Sequence, residues 1–312
     1  MWNLDFKPPQ VIQARALTHM PEQFRMASRT EWGDANKPGA LLDSFLEGPS
    51  FDRAGNLYVT DIPFGRIFRI APDLSWSAIA QYEGWPNGTA FHRDGSLWIT
   101  DYRHGLMRMD PDTRHREGGG PVAVLGHRNS ESFKGVNDLT FDAEGNVYFT
   151  DQGQTGLHDP SGRVYRFAPE SHRLDLVVAG IPSPNGVALD TSGRFLFIAV
   201  TRANQVWRGP LLADGSISKV GAFRTFFGAS GPDGMAVDVE NRLVVAHASL
   251  GGAFVLNARG EVTHFVKSPE GSTVTNVAFR PGTSKLVMTE SETGTILEAD
   301  MPAPGMPLYS HK

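Results

Sequence analysis

A pattern of apolar and polar positions recurs six times along the chain. Each copy has a polar residue, a short apolar stretch, a turn and a second apolar stretch, as in EGPSFDRAGNLYVTD over residues 47–61. A glycine in the turn of the early copies, such as Gly55, supplies the positive φ of a tight hairpin, so the two stretches are predicted to be antiparallel strands. The copies start 40 to 50 residues apart, at Glu47, Asn87, Asn137, Asn185, Asp233 and Asn276. This spacing is typical of propeller blades.

Further apolar runs complete each unit. A third strand is predicted at positions such as 65–70 and 162–167, and a weaker fourth strand at positions such as 174–178. No amphipathic helix is predicted between the strands. Four strands in each of six units predict an all-β chain that folds as a six-bladed β-propeller with four-stranded antiparallel blades.

The two ends of the chain fall outside the repeat. Residues 1–39 are rich in proline and irregular, and we expect an N-terminal extension that wraps the propeller. Residues 40–312 are expected to form the propeller as a single domain. The outermost strand of the last blade is expected from residues 308–311 or from part of the N-terminal stretch. The apolar repeat positions expected in the core are Phe51, Phe91, Phe141, Val147, Leu189 and Val237.

Composition narrows the classes of function. The 312 residues include 34 glycines and 21 prolines, which fits many turns. A net charge of −5 provides no basic surface for nucleic acid or an anionic membrane, so neither is an expected partner. The absence of cysteine excludes disulfides, thiolate metal sites and a cysteine nucleophile. The start of the chain lacks the pattern of a secretion signal and no apolar run reaches 18 residues, so a cytoplasmic location is expected.

The first residue of each repeat carries a side-chain oxygen and directly precedes an apolar strand. In a propeller this position faces the central channel, where buried acceptors without partners each cost about 1–3 kcal/mol. A divalent cation would satisfy them, because Glu47 and Asp233 supply charge and the asparagines supply amide oxygens. Ca²⁺ is the expected ion, with Mg²⁺, Mn²⁺ and Zn²⁺ left open. The alternative is that the Asn-Gly and Asp-Gly pairs are turns that enter a strand.

Four short motifs at these positions carry a family resemblance. They are Glu47-Gly48-Pro49, Gly135-Val136-Asn137-Asp138, Ser183-Pro184-Asn185-Gly186 and Gly231-Pro232-Asp233-Gly234. As an ordered set, over about residues 40–300, they make the chain resemble the SMP-30/gluconolactonase/LRE-like family of six-bladed propeller lactonases.

The resemblance implies roles for individual residues. It implies that Glu47, Asn137, Asn185 and Asp233 bind the divalent ion. It also implies that Asp233 is the catalytic carboxylate, which activates water or attacks the substrate. The chain departs from the regucalcin branch of the family at Gly135, where that branch has an arginine that contacts sugar.

The predicted function is that of a metal-dependent carboxylic ester hydrolase. Its substrate would be a sugar-acid lactone or a similar small lactone, opened by metal-activated water. One alternative is an organophosphate or aryl-ester hydrolase of the diisopropyl fluorophosphatase kind that uses the same metal site. Another is a noncatalytic propeller that binds a partner. The chain is compatible with a monomer or a homo-oligomer.

The loops that follow the second strand of each blade are expected on the same face as the ion, because the innermost strands start there. These loops supply Tyr102, Arg103, His158, Arg202 and His247 as candidate substrate contacts, and the ring position Asn87 is a further one. For the two arginines the alternative is a solvated surface charge, and for His158 a bystander role. The Thr-Asp pairs that end the second strand in the first three units are interpreted as possible turn caps.

Overall fold

The six repeats build six antiparallel sheets, each with the repeat's first apolar stretch as its innermost strand. The computed structural model describes residues 8–112 and 120–312. Neighbouring innermost strands contact one another all the way round, including that of the last blade with that of the first. The predicted six-bladed β-propeller with four-stranded antiparallel blades is therefore confirmed.

Blades 1 to 3 each take four consecutive strands of the chain. In blade 1, from the axis outward, they are Leu46–Phe51, Leu57–Asp61, Arg66–Ile70 and Trp76–Gln81. In blade 2 they are Pro86–Phe91, Leu97–Asp101, Gly105–Met109 and Val122–Leu125. In blade 3 they are Val136–Phe141, Val147–Asp151, Gly162–Ala168 and Arg173–Ile181. A small hairpin, His127–Arg128 with Glu131–Ser132, lies between blades 2 and 3 in the sequence.

Blades 4 and 5 follow the same plan, and blade 6 is completed from elsewhere in the chain. In blade 4 the strands are Pro184–Leu189, Phe195–Val200, Gln205–Pro210 and Gly221–Thr225. In blade 5 they are Pro232–Val237, Leu243–His247, Gly252–Leu256 and Val262–Lys267. The consecutive strands of blade 6 are Val274–Phe279, Lys285–Glu290 and Thr295–Asp300.

The N-terminal segment supplies the strand that blade 6 lacks. Arg15–His19 pairs antiparallel with Thr295–Asp300 and so closes the ring between the two ends of the chain. Just before it, Gln10–Gln13 adds a fifth, parallel strand to blade 5. Of the two sources expected for the last outer strand, the N-terminal stretch is the one observed. The first seven residues of the predicted extension lie outside the described residues.

Helical elements are short. The one α-helix in the described part of the chain, α1 (Glu31–Asn36), starts where the Thr30 hydroxyl accepts the N–H of Gly33 at 3.0 Å. The 3-10 turns are Glu22–Phe24, Ile62–Phe64, Thr201–Ala203 and Tyr309–His311. No helix among the described residues is long and apolar enough to cross a bilayer.

The core lies between adjacent blades and around the axis. Tyr58 of blade 1, for example, packs edge-on against Phe91 of blade 2 at 4.9 Å between ring centroids. Five of the six predicted core positions are buried, and Phe141 is half-buried. Phe141 lines a cavity of about 440 Å³ along the axis. The C-terminal Tyr309 stacks on Phe141 at 5.5 Å and also lines this cavity.

Candidate active site

The six polar residues that open the repeats lie at the start of the innermost strands. All are buried, with exposed fractions between 4 and 9 %. In every blade the register between the innermost strand and its neighbour shifts at or beside this residue. Such a shift bends a strand and redirects a side chain, and it is common beside active sites. These residues therefore lie inside irregular strands and are not turns that precede a strand.

A glycine after the polar residue allows adjacent blades to meet closely. A Cβ atom on Gly48 would lie 2.2 Å from the carbonyl oxygen of Asn87 in the next blade, and a Cβ on Gly186 would lie 2.2 Å from that of Asp233. Gly48 also has a φ of +53°, which side-chain-bearing residues rarely adopt. The glycines of the repeat are thus required by packing around the axis.

Hydrogen bonds fix two of the polar side chains. Asn276 donates from Nδ2 to Glu47 Oε2 at 2.8 Å, and the backbone N–H of Gly48 donates to the same oxygen at 2.6 Å. Asn137 donates from Nδ2 to Gln152 Oε1 at 2.8 Å. Because the amide nitrogen of Asn137 is held in this way, its amide oxygen is oriented away from Gln152 and remains available as a ligand.

Three buried carboxyl groups, Glu47, Asp138 and Asp233, form what we call the carboxylate cluster. Burial raises the pKa of Glu47 and of Asp138 to about 7, and it raises the pKa of Asp233 well above its usual range. The charge of Glu47 raises the pKa of both aspartates further, and that of Asp138 raises the pKa of Asp233. The three groups therefore share one electrostatic environment in which full ionisation is unfavourable.

The donor chemistry of this region fits a divalent cation. The hydrogen bonds that the carboxylate cluster receives come from side-chain amides, backbone N–H groups and the Thr275 hydroxyl, none of which neutralises its charge. Carboxylate and amide oxygens are the ligands that Ca²⁺ prefers, and a dication would offset the buried negative charge. Within residues 8–112 and 120–312, no group of three or more His, Cys, Asp or Glu side chains is arranged to hold a metal ion. The predicted ligand set has only two residues of those types, Glu47 and Asp233, and its other members are asparagines.

Asp138 was not among the site residues predicted from the sequence. Its backbone N–H donates to Thr150 Oγ1 at 3.0 Å, and its Oδ2 accepts the N–H of Val187 at 3.1 Å. The signal for it is present in the repeat, because four of the six units have glycine after the first polar residue and the third unit has Asp138. An acid at a position that is glycine in most of the units points to a specific role.

The aspartates that end the second strands position the loops on this face. Asp101 accepts the backbone N–H groups of Arg103 at 2.8 Å and His104 at 2.9 Å. Asp151 accepts those of Lys134 at 2.7 Å and Gly135 at 2.9 Å. Asp101 therefore caps the turn that follows it, as interpreted from the sequence, whereas Asp151 and Asp61 accept N–H groups from the segment before the innermost strand, Asp61 that of Phe45 at 2.7 Å.

Tyr102 and Arg103 lie in a wall formed by blade 2 and α1. The Arg103 guanidinium lies 4.4 Å from the ring centroid of Trp85 and forms an ion pair with Glu31 of α1. The Tyr102 ring covers Gly135, where a Cβ atom would lie 2.3 Å from the ring. Gly135, with a φ of +147°, therefore makes room for the Tyr102 ring. Sequence reasoning did not find Trp85 or Glu31, because the partners of Arg103 are far from it in the chain.

His158 and Arg202 come together at the junction of the loops of blades 3 and 4. Both are exposed. A Cβ atom on Gly156 would lie 3.1 Å from His158 Nδ1 and 3.7 Å from Arg202 Cγ. The loop of blade 4 is held against the strand that carries Asp233, since the Thr201 hydroxyl donates to the carbonyl oxygen of Pro232 at 2.8 Å.

His247 and Asn87 occupy buried positions. His247 has no exposed surface, lies between the rings of Phe226 and Phe254, and is 3.2 Å from Asn204 Oδ1 through Nε2. Burial lowers the pKa of His247 to about 4, so the ring is neutral near pH 7. Asn87 belongs to the ring of polar residues, and its carbonyl oxygen accepts the Thr60 hydroxyl at 2.7 Å.

Comparison with known proteins matches this architecture. A lactonase, Drp35, from Staphylococcus aureus is 30% identical over 82% of this chain and 80% of its own length. A solved gluconolactonase from Xanthomonas campestris has a TM-score of 0.73 at 19% identity, over 92% of this chain and 99% of that one. A solved calcium-binding protein, regucalcin, from Agrobacterium tumefaciens has a TM-score of 0.73 at 19% identity, over 97% and 99% of the two chains.

The family model that matches is described as the SMP-30/Gluconolactonase/LRE-like region, and it covers residues 45–292. This range takes in all six of the repeat-opening polar residues. The chain belongs to the SMP-30/gluconolactonase/LRE-like family.

Proposed function

We propose that the chain is a metal-dependent carboxylic ester hydrolase that opens a sugar-acid lactone or a similar small lactone. The observation that carries the proposal is the carboxylate cluster, with three buried acidic groups near the axis of a propeller whose relative at 30% identity is named a lactonase. Burial of several groups of like charge destabilises the fold, and groups with such perturbed pKa values are found preferentially at functional sites.

The proposed metal ligands are Glu47, Asn137, Asn185 and Asp233, with Ca²⁺ as the ion. Their oxygen donors suit Ca²⁺, and a structural relative is named as a calcium-binding protein. When bound, the cation supplies positive charge that polarises the ester carbonyl and makes water more acidic. Asp138 contributes negative charge next to these ligands.

Asp233 is the proposed catalytic base. Its carboxylate receives a hydrogen bond from Asn185, which orients it to accept a proton. In the proposed reaction, a water oxygen bonds to the lactone carbonyl carbon and Asp233 takes the proton that this water loses. The ring carbon–oxygen bond then breaks, and the proton returns to the departing ring oxygen. The product is the open-chain hydroxy acid.

The groups at the mouth of the site are the proposed substrate contacts. Tyr102 and Arg103 lie on the blade 2 side, and His158 and Arg202 lie between blades 3 and 4. Asn87 is proposed to contact the substrate from the ring of polar residues. His247 has no exposed surface, and we assign it a positioning role through its contact with Asn204 in the loop that carries Arg202.

A substrate panel tests the proposed function. Purified protein is assayed with neutral sugar lactones, an aryl ester and a fluorophosphate, each with Ca²⁺ and after treatment with chelator. We expect Ca²⁺-dependent opening of a lactone and a loss of kcat of at least about 100-fold in Asp233→Asn. The matched control is Asp214→Asn at an exposed turn, which is expected to keep full activity. Faster turnover of the fluorophosphate or the aryl ester than of every lactone would contradict the assignment.

A further inference from the structure

We propose that the substrate is a lactone that carries a carboxylate or phosphate group apart from its ring ester, and that Arg202 binds this anionic group. The inference rests on the proposed function and specifies the class of its substrate. It follows from the position of Arg202, from the lack of a partner for its guanidinium among the described residues, and from the charge of the site beside it.

The backbone places Arg202 at the mouth of the site, beside Asp233. Arg202 lies in the 3-10 turn Thr201–Ala203 that directly follows the second strand of blade 4. The carbonyl oxygen of Thr201 packs so closely on Gly231 that a Cβ atom there would lie 2.0 Å from it. This turn is therefore anchored two residues before Asp233 in the neighbouring blade. The long loop of blade 3 meets the turn from the other side, with His158 next to it.

Arg202 differs from Arg103, the arginine in the corresponding loop of blade 2. The Arg103 guanidinium stacks on Trp85 and is paired with Glu31. Arg202 is exposed, and none of the residues in the described ranges forms a hydrogen bond, an ion pair or a cation–π contact with its guanidinium. A planar guanidinium offers a fork of N–H donors that matches a carboxylate or a phosphate. Arg202 therefore retains its full donor set for a ligand.

The negative charge of the site explains why an anionic substituent on the lactone would need Arg202. The carboxylate cluster lies at the centre of the site, and the chain has a net charge of −5. An anionic substituent is repelled by this field unless a cation faces it. The turn that carries Arg202 packs on Gly231 and Pro232, directly before Asp233, so the charge of Arg202 can offset this repulsion at the mouth. A lactone whose ester reaches the centre can then place its anionic group on Arg202.

Two matched pairs of lactones test the proposal. The phosphate arm compares glucono-δ-lactone with its phosphate ester at the terminal hydroxyl. The carboxylate arm compares glucono-γ-lactone with glucaro-γ-lactone, which differs from it by a terminal carboxylate. The enzymes are the wild type, Arg202→Gln, Arg202→Lys and the control Arg194→Gln. Arg194 is an exposed arginine in the hairpin turn of the same blade, at the opposite end of the strands.

In at least one pair, the wild type is expected to have a higher kcat/KM for the anionic lactone than for the neutral one. Arg202→Gln is expected to raise KM for that anionic member about tenfold, several-fold more than it raises KM for the neutral member. Arg202→Lys should recover part of the loss, and Arg194→Gln should behave as the wild type. The pair that responds identifies the substituent as a phosphate or a carboxylate.

Two results would overturn the inference. One is a wild-type enzyme that opens lactones without preferring either anionic member. The other is that Arg202→Gln lowers kcat/KM equally for anionic and neutral lactones. Arg202 would then act only by affecting Asp233 or by stabilising the fold. If the wild type opens none of the four lactones, the result contradicts the proposed function instead. Failure of the inference and failure of the proposed function therefore give different results.

Discussion

Asn276 of the last blade donates a hydrogen bond to Glu47 of the first blade, at 2.8 Å between Nδ2 and Oε2. The bond joins residues 229 positions apart in the chain. It holds the Glu47 carboxylate in a buried position where its pKa is raised to about 7. The contact thus links the first and last blades and orients a proposed metal ligand.

The metal-free protein is expected to lose stability as the pH rises. The raised pKa of Glu47 means that the folded form holds its proton more tightly than the unfolded form, so the free energy of unfolding falls as Glu47 ionises, from about pH 4 to above pH 7. His247 acts in the opposite direction, because its pKa is lowered to about 4. Comparison of the wild type with Glu47→Gln removes the contribution of His247, which is common to both, and reports Glu47 together with its effect on Asp138 and Asp233.

Thermal unfolding in chelator provides the measurement. At pH 8 we expect Glu47→Gln to melt at a higher temperature than the wild type, because glutamine keeps the hydrogen-bond acceptor without the buried charge. At pH 5 the difference should be smaller. A wild type that melts above Glu47→Gln at pH 8 without metal would contradict the raised pKa.

Replacement of Asp138 by asparagine is expected to weaken cation binding without removing it. The substitution keeps an acceptor for the Val187 N–H and removes one charge from the carboxylate cluster. We expect the Kd for Ca²⁺ to rise about tenfold while the stoichiometry stays at one. Calorimetric titration measures both quantities, and an unchanged Kd would exclude an electrostatic role for Asp138.

The C-terminal segment is expected to stabilise the propeller from the end opposite the carboxylate cluster. Tyr309 stacks on Phe141 of blade 3, and Arg53 of blade 1 donates to the carbonyl oxygen of Ser310 at 2.9 Å. Deletion of residues 305–312 should lower the free energy of unfolding by about 1–3 kcal/mol and increase the binding of an apolar dye to the opened axial cavity. Lys312→Ala, at an exposed position that does not line the cavity, should change neither. Equal dye binding before and after the deletion would show that the segment does not close the cavity.

Gly135 and Tyr102 are expected to be coupled. An arginine at position 135 would clash with the Tyr102 ring, which lies 2.3 Å from where a Cβ atom would be. We expect Gly135→Arg to destabilise the wild type by more than it destabilises Tyr102→Ala, as measured by urea unfolding of the four proteins of a double-mutant cycle. Additive effects on the free energy of unfolding would show that the left-handed φ of Gly135, and not the ring of Tyr102, limits which residues position 135 accepts.

The repeat predicted most of the fold, because each unit encodes its own hairpin and its own inner strand. The sequence left open which segment closes blade 6. Arg15–His19 is a short, largely exposed strand whose pairing with Thr295–Asp300 is set by ring closure and not by a local pattern. The helix α1 has six residues, too few for an apolar periodicity to be recognised.

The candidate site was predicted in part. The polar ring positions were found because the repeat aligns them, and the structure places all of them at buried inner-strand positions. The long-range partners were not predictable. Arg103 pairs with Glu31, 72 residues away, and no local signal connects the two. The burial of His247 between the rings of blades 4 and 5 likewise depends on packing between blades.

Calorimetric titration of chelator-treated protein with Ca²⁺ tests the central claim most directly. We expect one ion to bind per chain in the wild type, and at least tenfold weaker binding in both Glu47→Gln and Asp233→Asn. Glu240→Gln, at an exposed turn, is the matched control and should bind as the wild type does. Absence of Ca²⁺ binding by the wild type, or wild-type affinity in Glu47→Gln and Asp233→Asn, would contradict the account.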